Sequence, residues 1–429
     1  MRAAAAAKGR AAGLALARGL FLTADMFSKK GLPNHAAACA YGFLLSSAPL
    51  LLVVSFFLIR ALRATPEAVA ALLGELAFME FAAEGLLPAL EFMLYAPAGV
   101  ATLVFMLSVL WSGRLFAASM QRGLKVVFAG EKRRGAAIEA LVALAVELAA
   151  ILAILVALLG SRLALALYGA VGLFRQGPLS VLLSSPLAAL SIRFAAILAI
   201  AYLSCAHIPA RRPTKRSAFI GAFFCAASYG AAYAVFSALL NQPRYNILYG
   251  ALGEIVVALV SVYFFFVCFF LGCQLAAVID SFESLLFIKL REAGRDDALR
   301  SGAKRSGISR ALFGGAAGAL EKYLRRYTKG QAIVRRGEEA KEVFYIMEGE
   351  AEIIAPNGNA GAQRAGPGSF VGEIGSLLGE GRSATVRASG DLSALALPKA
   401  LFQEIIGHDA ALDRSIIEGL SRAALSARR

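Results

Sequence analysis

The chain has 429 residues, of which 59% are hydrophobic and 17% are charged, and its formal net charge at pH 7 is +15. Soluble domains average about 45–50% apolar and about 25% charged residues, so this composition excludes an ordinary soluble protein. Apolar runs of about 20 residues before position 280 are long enough to cross a hydrocarbon core of about 30 Å. The sequence therefore predicts an integral membrane protein whose first partner is the lipid bilayer.

The positive charge has two interpretations. Basic residues exceed acidic ones most strongly before position 280, where the apolar runs lie. Such a surplus is typical of surfaces that bind nucleic acid, but the positive-inside rule also produces it in the cytoplasmic loops of membrane proteins. We favour the second interpretation and expect no nucleic-acid partner.

A basic, amphipathic segment over residues 1–35 is expected to lie on the cytoplasmic face of the bilayer. About six transmembrane helices are predicted over residues 36–280. Their limits are Ala36–Ile59, Pro97–Ala117, Ile138–Gly160, Leu179–Cys205, Ala218–Leu240 and Ala251–Ile279. Lysine and arginine concentrate in the N-terminal segment and in the second and fourth loops. By the positive-inside rule, this distribution predicts a multi-pass protein of the bacterial inner membrane with both termini in the cytoplasm.

Small residues occupy the fifth predicted span, Gly221 and Gly230 among them, which favours close helix packing. Five cysteines lie within or at the ends of apolar runs, and no two of them have the spacing of a zinc site. They are Cys39, Cys205, Cys225, Cys268 and Cys273. We interpret them as small apolar packing residues, and we predict neither a metal site nor a disulfide framework.

Two charges fall near the middle of predicted spans, Glu147 in the third and Arg193 in the fourth. At a rise of about 1.5 Å per residue, both lie at a similar depth, slightly to the cytoplasmic side of the midplane. A lone charge at such a depth costs about 2.5–3.5 kcal/mol on insertion scales, so the two are expected to pair. The pair is either a gate or substrate-binding element of a transport path, or an ion pair that holds two helices in register.

The character of the sequence changes at Ser281. Residues 281–307 are polar and charged and predict a linker or a short polar helix, whereas residues 308–429 have a globular pattern. The elements predicted there are a helix at Ser309–Tyr327, strands at Ala332–Arg335, Val343–Met347 and Ala351–Ala355, and helices at Lys399–Ile406 and Ala411–Leu425. The predicted fold is an α-helical polytopic membrane bundle followed by a C-terminal β-roll, of the jelly-roll type, flanked by helices.

The stretch from Phe370-Val-Gly-Glu373 to Arg382-Ser-Ala-Thr-Val386 suits a compact cyclic phosphate. Such a ligand needs a guanidinium that donates twice, backbone N–H donors at the start of a short helix, and an acceptor for the ribose hydroxyl. Arg382 supplies the first, the turn from Gly372 into Ile374 supplies the second, and Glu373 supplies the third. Glycine lets the backbone approach the ligand closely.

This stretch resembles the phosphate-binding cassette of the cyclic-nucleotide-binding domain family, as do the turn Arg336-Gly-Glu338 and the strand Val343-Phe-Tyr-Ile-Met-Glu-Gly349. The resemblance implies a regulatory ligand, cyclic AMP or cyclic GMP, and no other cofactor. Gly372 and Glu373 would contact the ribose, Arg382 and Ser383 the phosphate, and the helix predicted at residues 411–425 would be the lid. Domains of this fold often work as oligomers, so a homo-oligomer is compatible with it. Other such domains have lost the nucleotide and serve as docking modules, but those usually lack the arginine or the glutamate.

Five motifs of the membrane part resemble, in order and position, those of the YihY/BrkB family, whose members once carried the name ribonuclease BN. They are Ala38-Cys-Ala-Tyr-Gly-Phe-Leu-Leu-Ser-Ser-Ala-Pro-Leu50, Leu110-Trp-Ser-Gly113, His207-Ile-Pro-Ala-Arg211, Tyr245-Asn-Ile-Leu-Tyr-Gly250 and Phe270-Leu-Gly-Cys-Gln-Leu-Ala276. A metal-dependent ribonuclease needs several His and Asp/Glu side chains around an ion, but the three histidines lie far apart in the sequence. No Ser-His-Asp or Cys-His pattern stands out either, so we expect no enzymatic activity and no catalytic residues.

These features favour a transporter or channel-like protein whose state is set by cyclic nucleotide binding in the cytoplasm. The competing hypothesis is a non-transporting membrane scaffold or envelope-integrity factor, with the C-terminal domain as a protein-docking module. A charged, water-accessible path between the spans would favour transport, whereas a dry, fully packed bundle would favour the scaffold.

Overall fold

The structure is a computed structural model that describes residues 2–46, 100–128, 135, 138, 141, 186–209, 211–240, 244–299, 316–354, 363–409, 412–414 and 416. Contacts between residues divide the chain into two compact units. The first unit is Thr23–Asp280, and the second comprises Ser281–Arg429 together with Met1–Leu22.

The first unit is built from long apolar helices. They are α1 (Arg2–Lys29), of which only the C-terminal part belongs to this unit, α2 (Val100–Val127), α3 (Pro186–His207), α4 (Lys215–Leu240) and α5 (Arg244–Asp280), and residues 32–46 are helical as well. Among the described residues, Lys215–Val235 and Leu259–Asp280 are long and apolar enough to cross a membrane. The predicted helical bundle is therefore confirmed as a class. The number of six spans stays a prediction, because most of the first and third spans lies outside the described residues.

Helices α4 and α5 touch backbone to backbone at two glycines. A Cβ atom on Gly221 would collide with the carbonyl oxygen of Gly272, and a Cβ atom on Gly272 would collide with that of Gly221. Small residues allow such close approach in membrane helices, as the composition of the fifth span predicts. Gly230 differs, because open space surrounds the place where its Cβ would lie.

Aromatic rings and thiols fill the core of this unit. Phe43, Phe116 and Phe266 form a triangle of edge-to-face contacts, with ring centroids 5.7, 5.7 and 6.1 Å apart. All five cysteines are free, buried and part of the same apolar cluster, which confirms their predicted packing role. Within the part of the chain that the structure describes, no group of three His, Cys, Asp or Glu side chains is placed to hold a metal ion.

Lys30 lies in the turn between α1 and the helical residues 32–46. Its Nζ donates to the carbonyl oxygen of Val127 at 3.0 Å and lies 3.4 Å from Oε1 of Gln274. Val127 is the last residue of α2, so the ammonium satisfies a carbonyl that has no partner within its own helix. Burial lowers the pKa of this ammonium to about 8.

The second unit is a β-roll with helices around it. Its helices are α6 (Phe282–Leu299), a 3-10 helix (Ala316–Tyr323), α7 (Glu373–Leu378) and α8 (Lys399–His408). Its strands are β1 (Leu324–Tyr327), β2 (Ala332–Val334), β3 (Glu342–Glu348), β4 (Ala351–Ile354), β5 (Gln363–Ala365), β6 (Phe370–Val371), β7 (Thr385–Ala388) and β8 (Leu392–Pro398). They form two antiparallel sheets in the orders β1-β8-β3-β6 and β2-β7-β4-β5. Apolar side chains of both sheets share one core.

The three predicted strands and the helix at Lys399 are confirmed, with small shifts of their ends. The helix predicted at Ser309–Tyr327 is wrong over its last residues. Leu324–Tyr327 is instead β1, which pairs with β8 from Leu324 opposite Leu395 to Tyr327 opposite Leu392. The ladder with β8 supplies backbone hydrogen bonds that outweigh the local preference of this short segment.

Part of the segment predicted as a linker or short polar helix forms α6, which has 18 residues. Phe287 and Leu286 on this helix are fully buried, at 0% and 1% exposure. The helix packs against α8 and against the 3-10 helix. It is therefore a packed element of the second unit.

Candidate functional site

The predicted cassette folds as a tight turn around one short helix. β6 ends at Val371, Gly372 has a left-handed backbone conformation with φ of 82°, and α7 begins at Glu373. A second left-handed glycine, Gly379 with φ of 72°, ends α7. Residues with a Cβ rarely adopt such angles, so both positions favour glycine.

The guanidinium of Arg382 lies over the first of these turns. Arg382 is 6% exposed, and its Nη1 donates to the carbonyl oxygen of Gly372 at 2.7 Å, while Nη2 donates to the carbonyl oxygen of Glu342. These bonds use two of the five N–H groups of the guanidinium. Among the described residues no further acceptor is bonded to it, so the other N–H groups can serve a phosphate.

Backbone hydrogen bonds hold Arg382 from the other side. Its N–H donates to the carbonyl of Glu338 at 2.9 Å, and its carbonyl accepts from the N–H of Gly337 at 2.9 Å. The N–H of Arg336 donates to Oγ1 of Thr385 at 3.1 Å. The turn Arg336-Gly-Glu338 therefore fixes the backbone from which the guanidinium projects.

Opposing effects set the charges at this site. Burial lowers the pKa of the Arg382 guanidinium, while Glu338, Glu342 and Glu373 oppose that shift. Arginine nevertheless stays charged at neutral pH. Burial raises the pKa of Glu373, against the effects of a backbone hydrogen bond and of Arg382. A permanent cation thus lies near a carboxyl group whose ionisation is disfavoured by desolvation.

The structure brings Gly372 and Arg382 into direct contact and places Glu373 within electrostatic reach of the arginine. Ile374 is half-buried in α7, and Ser383 is exposed directly after Arg382. The arrangement offers a fixed cation, further N–H donors and a carboxyl group close together. The individual roles in ligand binding stay predictions.

Sequence reasoning missed the surroundings of the guanidinium. The ring centroid of Phe344 lies 6.0 Å from the guanidinium of Arg382 and 5.9 Å from that of Arg325. The carboxylate of Glu342 lies 2.6 Å from Nη2 of Arg325, and its carbonyl accepts from Arg382. Phe344 could have been found as an inward-facing residue of a predicted strand. A backbone carbonyl gives no such signal.

The predicted intramembrane charge pair cannot be placed against this site. Glu147 lies outside the described residues, and Arg193 belongs to α3 at a position whose side chain is outside the described set. Both interpretations of the pair, a transport element or a structural ion pair, therefore stay predictions.

A serine, a histidine and a glutamate meet at the start of α6. Oγ of Ser281 donates to Oε1 of Glu404 at 2.8 Å and lies 3.3 Å from Nε2 of His408. In a nucleophilic triad the histidine takes the serine proton, and the carboxylate orients the histidine. Here the serine proton points to the carboxylate, so this geometry does not activate Ser281 as a nucleophile.

A unit of long apolar helices and a β-roll with an arginine held at a glycine turn define a membrane protein that carries a cyclic-nucleotide-binding fold. The chain belongs to the Virulence factor BrkB family, whose model matches residues 23–287. The model of the cyclic nucleotide-binding domain matches residues 324–409. Both resemblances, and their fusion in one chain, are confirmed.

Curated relatives match over short stretches. A cyclic nucleotide-gated potassium channel of Mesorhizobium japonicum is 40% identical over 74 residues, 17% of this chain and 20% of that protein. A cAMP-dependent protein kinase regulatory subunit of Colletotrichum orbiculare is 30% identical over 91 residues, 21% of this chain and 23% of that protein. The chain thus spans about a fifth of the length of these relatives.

Solved structures match over about a quarter of the chain. A protein from a cyclic-GMP-dependent signalling pathway that regulates bacterial phytopathogenesis is 28% identical, over 24% of this chain and 91% of that chain, with a TM-score of 0.22. The catabolite activator protein of Thermus thermophilus is 22% identical, over 26% of this chain and 58% of that chain, with a TM-score of 0.21.

Proposed function

We propose that this chain is a channel-like or transporter-like membrane protein whose activity is regulated by cyclic AMP or cyclic GMP bound at residues 372–383. The observation that carries the proposal is the position of Arg382. Two carbonyl oxygens, those of Gly372 and Glu342, hold the buried guanidinium at the cassette, and further N–H groups are left for an anion. A phosphate on this guanidinium would gain charge-assisted hydrogen bonds of the strong kind.

The other predicted contacts complete the binding site for the nucleotide. Gly372 and Glu373 contact the ribose, where the carboxylate of Glu373 accepts a hydrogen bond from a ribose hydroxyl. The turn from Gly372 into Ile374 offers backbone N–H groups to the phosphate, and Ser383 adds a hydroxyl. The raised pKa of Glu373 supports this role, because a hydroxyl donor from the ligand would replace the hydration that the carboxylate loses on burial. Recognition therefore combines a cation for the phosphate with a carboxylate for the sugar.

The regulated, channel-like part of the proposal rests on the fusion of a BrkB-family membrane region with a cyclic-nucleotide-binding fold. The curated relative named a cyclic nucleotide-gated potassium channel supports it, over the fifth of that protein that matches. A ligand can shift the membrane part only by its difference in affinity between two states. Coupling energies of about 1–3 kcal/mol are typical of such regulation.

The proposal includes a location and a set of partners. The chain is a multi-pass protein of the bacterial inner membrane with both termini in the cytoplasm, supported by the distribution of lysine and arginine. Its partners are the lipid bilayer, the cyclic nucleotide and other copies of itself, and nucleic acid is not among them. The proposal includes no enzymatic activity, and it expects Glu147 and Arg193 to pair, either as an element of the transport path or as an ion pair that holds two helices in register.

Calorimetric titration of the full chain in lipid nanodiscs with cyclic AMP and with cyclic GMP tests the binding step. We expect saturable binding by the wild type and a loss of about 100-fold in affinity in Arg382→Gln, because hydrogen bonds to charged groups contribute about 1.5–3 kcal/mol. Arg387→Gln is the matched control, because Arg387 is exposed on the neighbouring strand β7. Its affinity should equal that of the wild type.

Ion flux into liposomes tests the regulated activity. Flux should change when the nucleotide is added on the cytoplasmic side, and Arg382→Gln should abolish this response while leaving the basal flux. If the folded wild type binds neither nucleotide, the proposal is wrong, and the roll is better explained as a protein-docking module of a scaffold or envelope-integrity factor.

A further inference from the structure

Basic side chains cluster between α3 and α4 and in the first turn of α4. Arg211, Arg212, Lys215 and Arg216 are all exposed. The first turn of α4 contains no acidic residue that would balance them. Within the part of the chain that the structure describes, no ion pair involves Arg212, Lys215 or Arg216. The cluster therefore presents positive charge at the surface of the first unit.

The carboxylate of Asp280 reaches this cluster but does not neutralise it. Asp280 is the last residue of α5, and both of its carboxylate oxygens accept hydrogen bonds from Thr214, at 2.8 Å each. Thr214 lies in the sequence between the two pairs of basic residues. The one negative charge of Asp280 is smaller than the four positive charges beside it, so the surface stays cationic.

The same face of α4 continues from the basic cluster as an exposed apolar surface. Phe219, Ile220 and Phe223 are 52%, 46% and 50% exposed, and they follow Lys215 and Arg216 by one and two helical turns. Residues three or four positions apart lie on one face of a helix. The other face of α4 is buried and makes the glycine contact with α5. The exposed face is therefore basic at its start and apolar over the next two turns.

An aromatic contact with α3 borders the apolar part of this face. The ring centroid of Phe194 on α3 lies 5.7 Å from that of Phe223, in an edge-to-face arrangement. The segment Lys215–Val235, to which Phe223 belongs, is long and apolar enough to cross a membrane. At a rise of about 1.5 Å per residue, Phe223 lies about 10 Å along the helix from Arg216. A hydrocarbon chain beside α4 would thus run from the cations past apolar side chains of two helices.

We propose that this face of α4 binds an anionic phospholipid, with the phosphate at residues 211–216 and the acyl chains along Phe219, Ile220 and Phe223. Charge complementarity supports the phosphate, because each Lys or Arg near a membrane surface strengthens binding to anionic lipid by about fivefold. The apolar turns favour a lipid over an acidic protein segment or a nucleic acid, since only a lipid carries the hydrocarbon that covers them. The inference concerns the first unit alone and does not depend on nucleotide binding.

Native mass spectrometry of the delipidated full chain in detergent measures the binding of single lipid molecules. The probes are dioleoyl phosphatidylglycerol, which is anionic, and dioleoyl phosphatidylcholine, which has the same chains and no net charge. The wild type should bind the anionic lipid about tenfold more tightly or better. In Arg212→Gln/Lys215→Gln/Arg216→Gln this preference should fall below about twofold, because each lost charge weakens binding by about fivefold.

The matched control removes three positive charges elsewhere on the chain. Arg326, Lys329 and Arg387 are exposed on the β-roll, and the triple variant with Gln at these positions should keep the wild-type preference. Circular dichroism and gel filtration show whether each variant is folded. If the triple variant of the α4 face fails to fold, the single variants Arg212→Gln and Lys215→Gln take its place, each with an expected loss of about fivefold.

Several outcomes would disprove the proposal. Equal affinity of the wild type for both lipids is one, and a preference that survives in the folded variants of the α4 face is another. Free sn-glycerol 3-phosphate, which lacks acyl chains, should bind far more weakly than the lipid, and equal affinity would assign the surface to soluble phosphates instead. A 20-nucleotide RNA that bound the wild type but not the triple variant, without any lipid preference, would assign it to nucleic acid.

Discussion

Thr214 and Asp280 are joined by two hydrogen bonds of 2.8 Å each. The backbone N–H of Thr214 donates to Oδ2 of Asp280, and its hydroxyl donates to Oδ1. The same hydroxyl oxygen accepts from the N–H of Ser217 at 3.3 Å, in the first turn of α4. Since Asp280 is the last residue of α5, one carboxylate ties the start of α4 to the end of α5.

This relationship predicts the effect of Asp280→Ala. Removing the carboxylate leaves both donors of Thr214 without their acceptor, and the free energy of unfolding of the first unit should fall by about 1–2 kcal/mol. Denaturant unfolding in detergent measures the difference. Thr214→Ser keeps both donors and should match the wild type. Equal stability of Asp280→Ala and the wild type would contradict the prediction.

The glycine contact between α4 and α5 predicts opposite effects at two positions of one helix. In Gly221→Ala the new methyl group would meet the carbonyl of Gly272, so the first unit should lose about 1–3 kcal/mol of stability. In Gly230→Ala the methyl group enters open space, and the higher helix propensity of alanine should leave stability equal or greater by up to about 1 kcal/mol. Thermal unfolding of both variants in the same detergent decides the matter, and similar shifts in both would disprove the contact.

Alanine substitutions at the two left-handed glycines that flank α7, Gly372 and Gly379, distinguish the effect of backbone strain from an effect on ligand binding. Alanine at either Gly372 or Gly379 should destabilise the second unit by about 1–2 kcal/mol, because both residues have positive φ. Only at Gly372 would the added Cβ collide with the guanidinium of Arg382, since the space at Gly379 is open. Affinity for cyclic AMP should therefore fall by about tenfold or more in Gly372→Ala and stay near the wild-type value in Gly379→Ala. Calorimetric titration compares them, and equal losses would contradict the geometry.

The buried ammonium of Lys30 predicts a pH dependence of stability. Its pKa is about 8 in the folded chain, against 10.5 ordinarily, so between these values the unfolded chain binds more protons than the folded one. Stability therefore rises with pH through this window. The substitution Lys30→Gln keeps an N–H donor for Val127 but does not titrate, and the rise attributable to Lys30 should disappear. Unfolding measured from pH 7 to pH 10.5 for both proteins tests this, and parallel curves would count against it.

The sequence allowed the general fold and the cassette to be predicted for physical reasons that are visible in single residues. The strand at Val343 is a short run of β-branched and aromatic residues bounded by turn residues, and α8 shows a helical period, so both were found. β1 was missed because Leu324–Tyr327 has no periodic pattern of its own and is a strand only through its pairing with β8. Short strands depend on their neighbours more than on their own residues.

At the candidate site too, residues with a local sequence pattern could be predicted, whereas contacts that depend on the fold could not. Gly372, Glu373 and Arg382 were found because their spacing carries a chemical pattern. The carbonyl oxygens that hold the guanidinium belong to the backbone, which no residue type marks. Arg291 and Asp409 are more than a hundred positions apart, and their pairing depends on how α6 packs against the roll.

Because all five thiols are buried, a label can be attached to an introduced cysteine without removing the native ones. A thiol reacts through its thiolate and only where a reagent can reach it. The native cysteines are all buried, so a water-soluble maleimide should react with them slowly. A single exposed cysteine, introduced for example as Glu292→Cys on α6, would then carry a fluorescent or spin label alone. Movements of that helix could be followed in a protein that keeps every native cysteine.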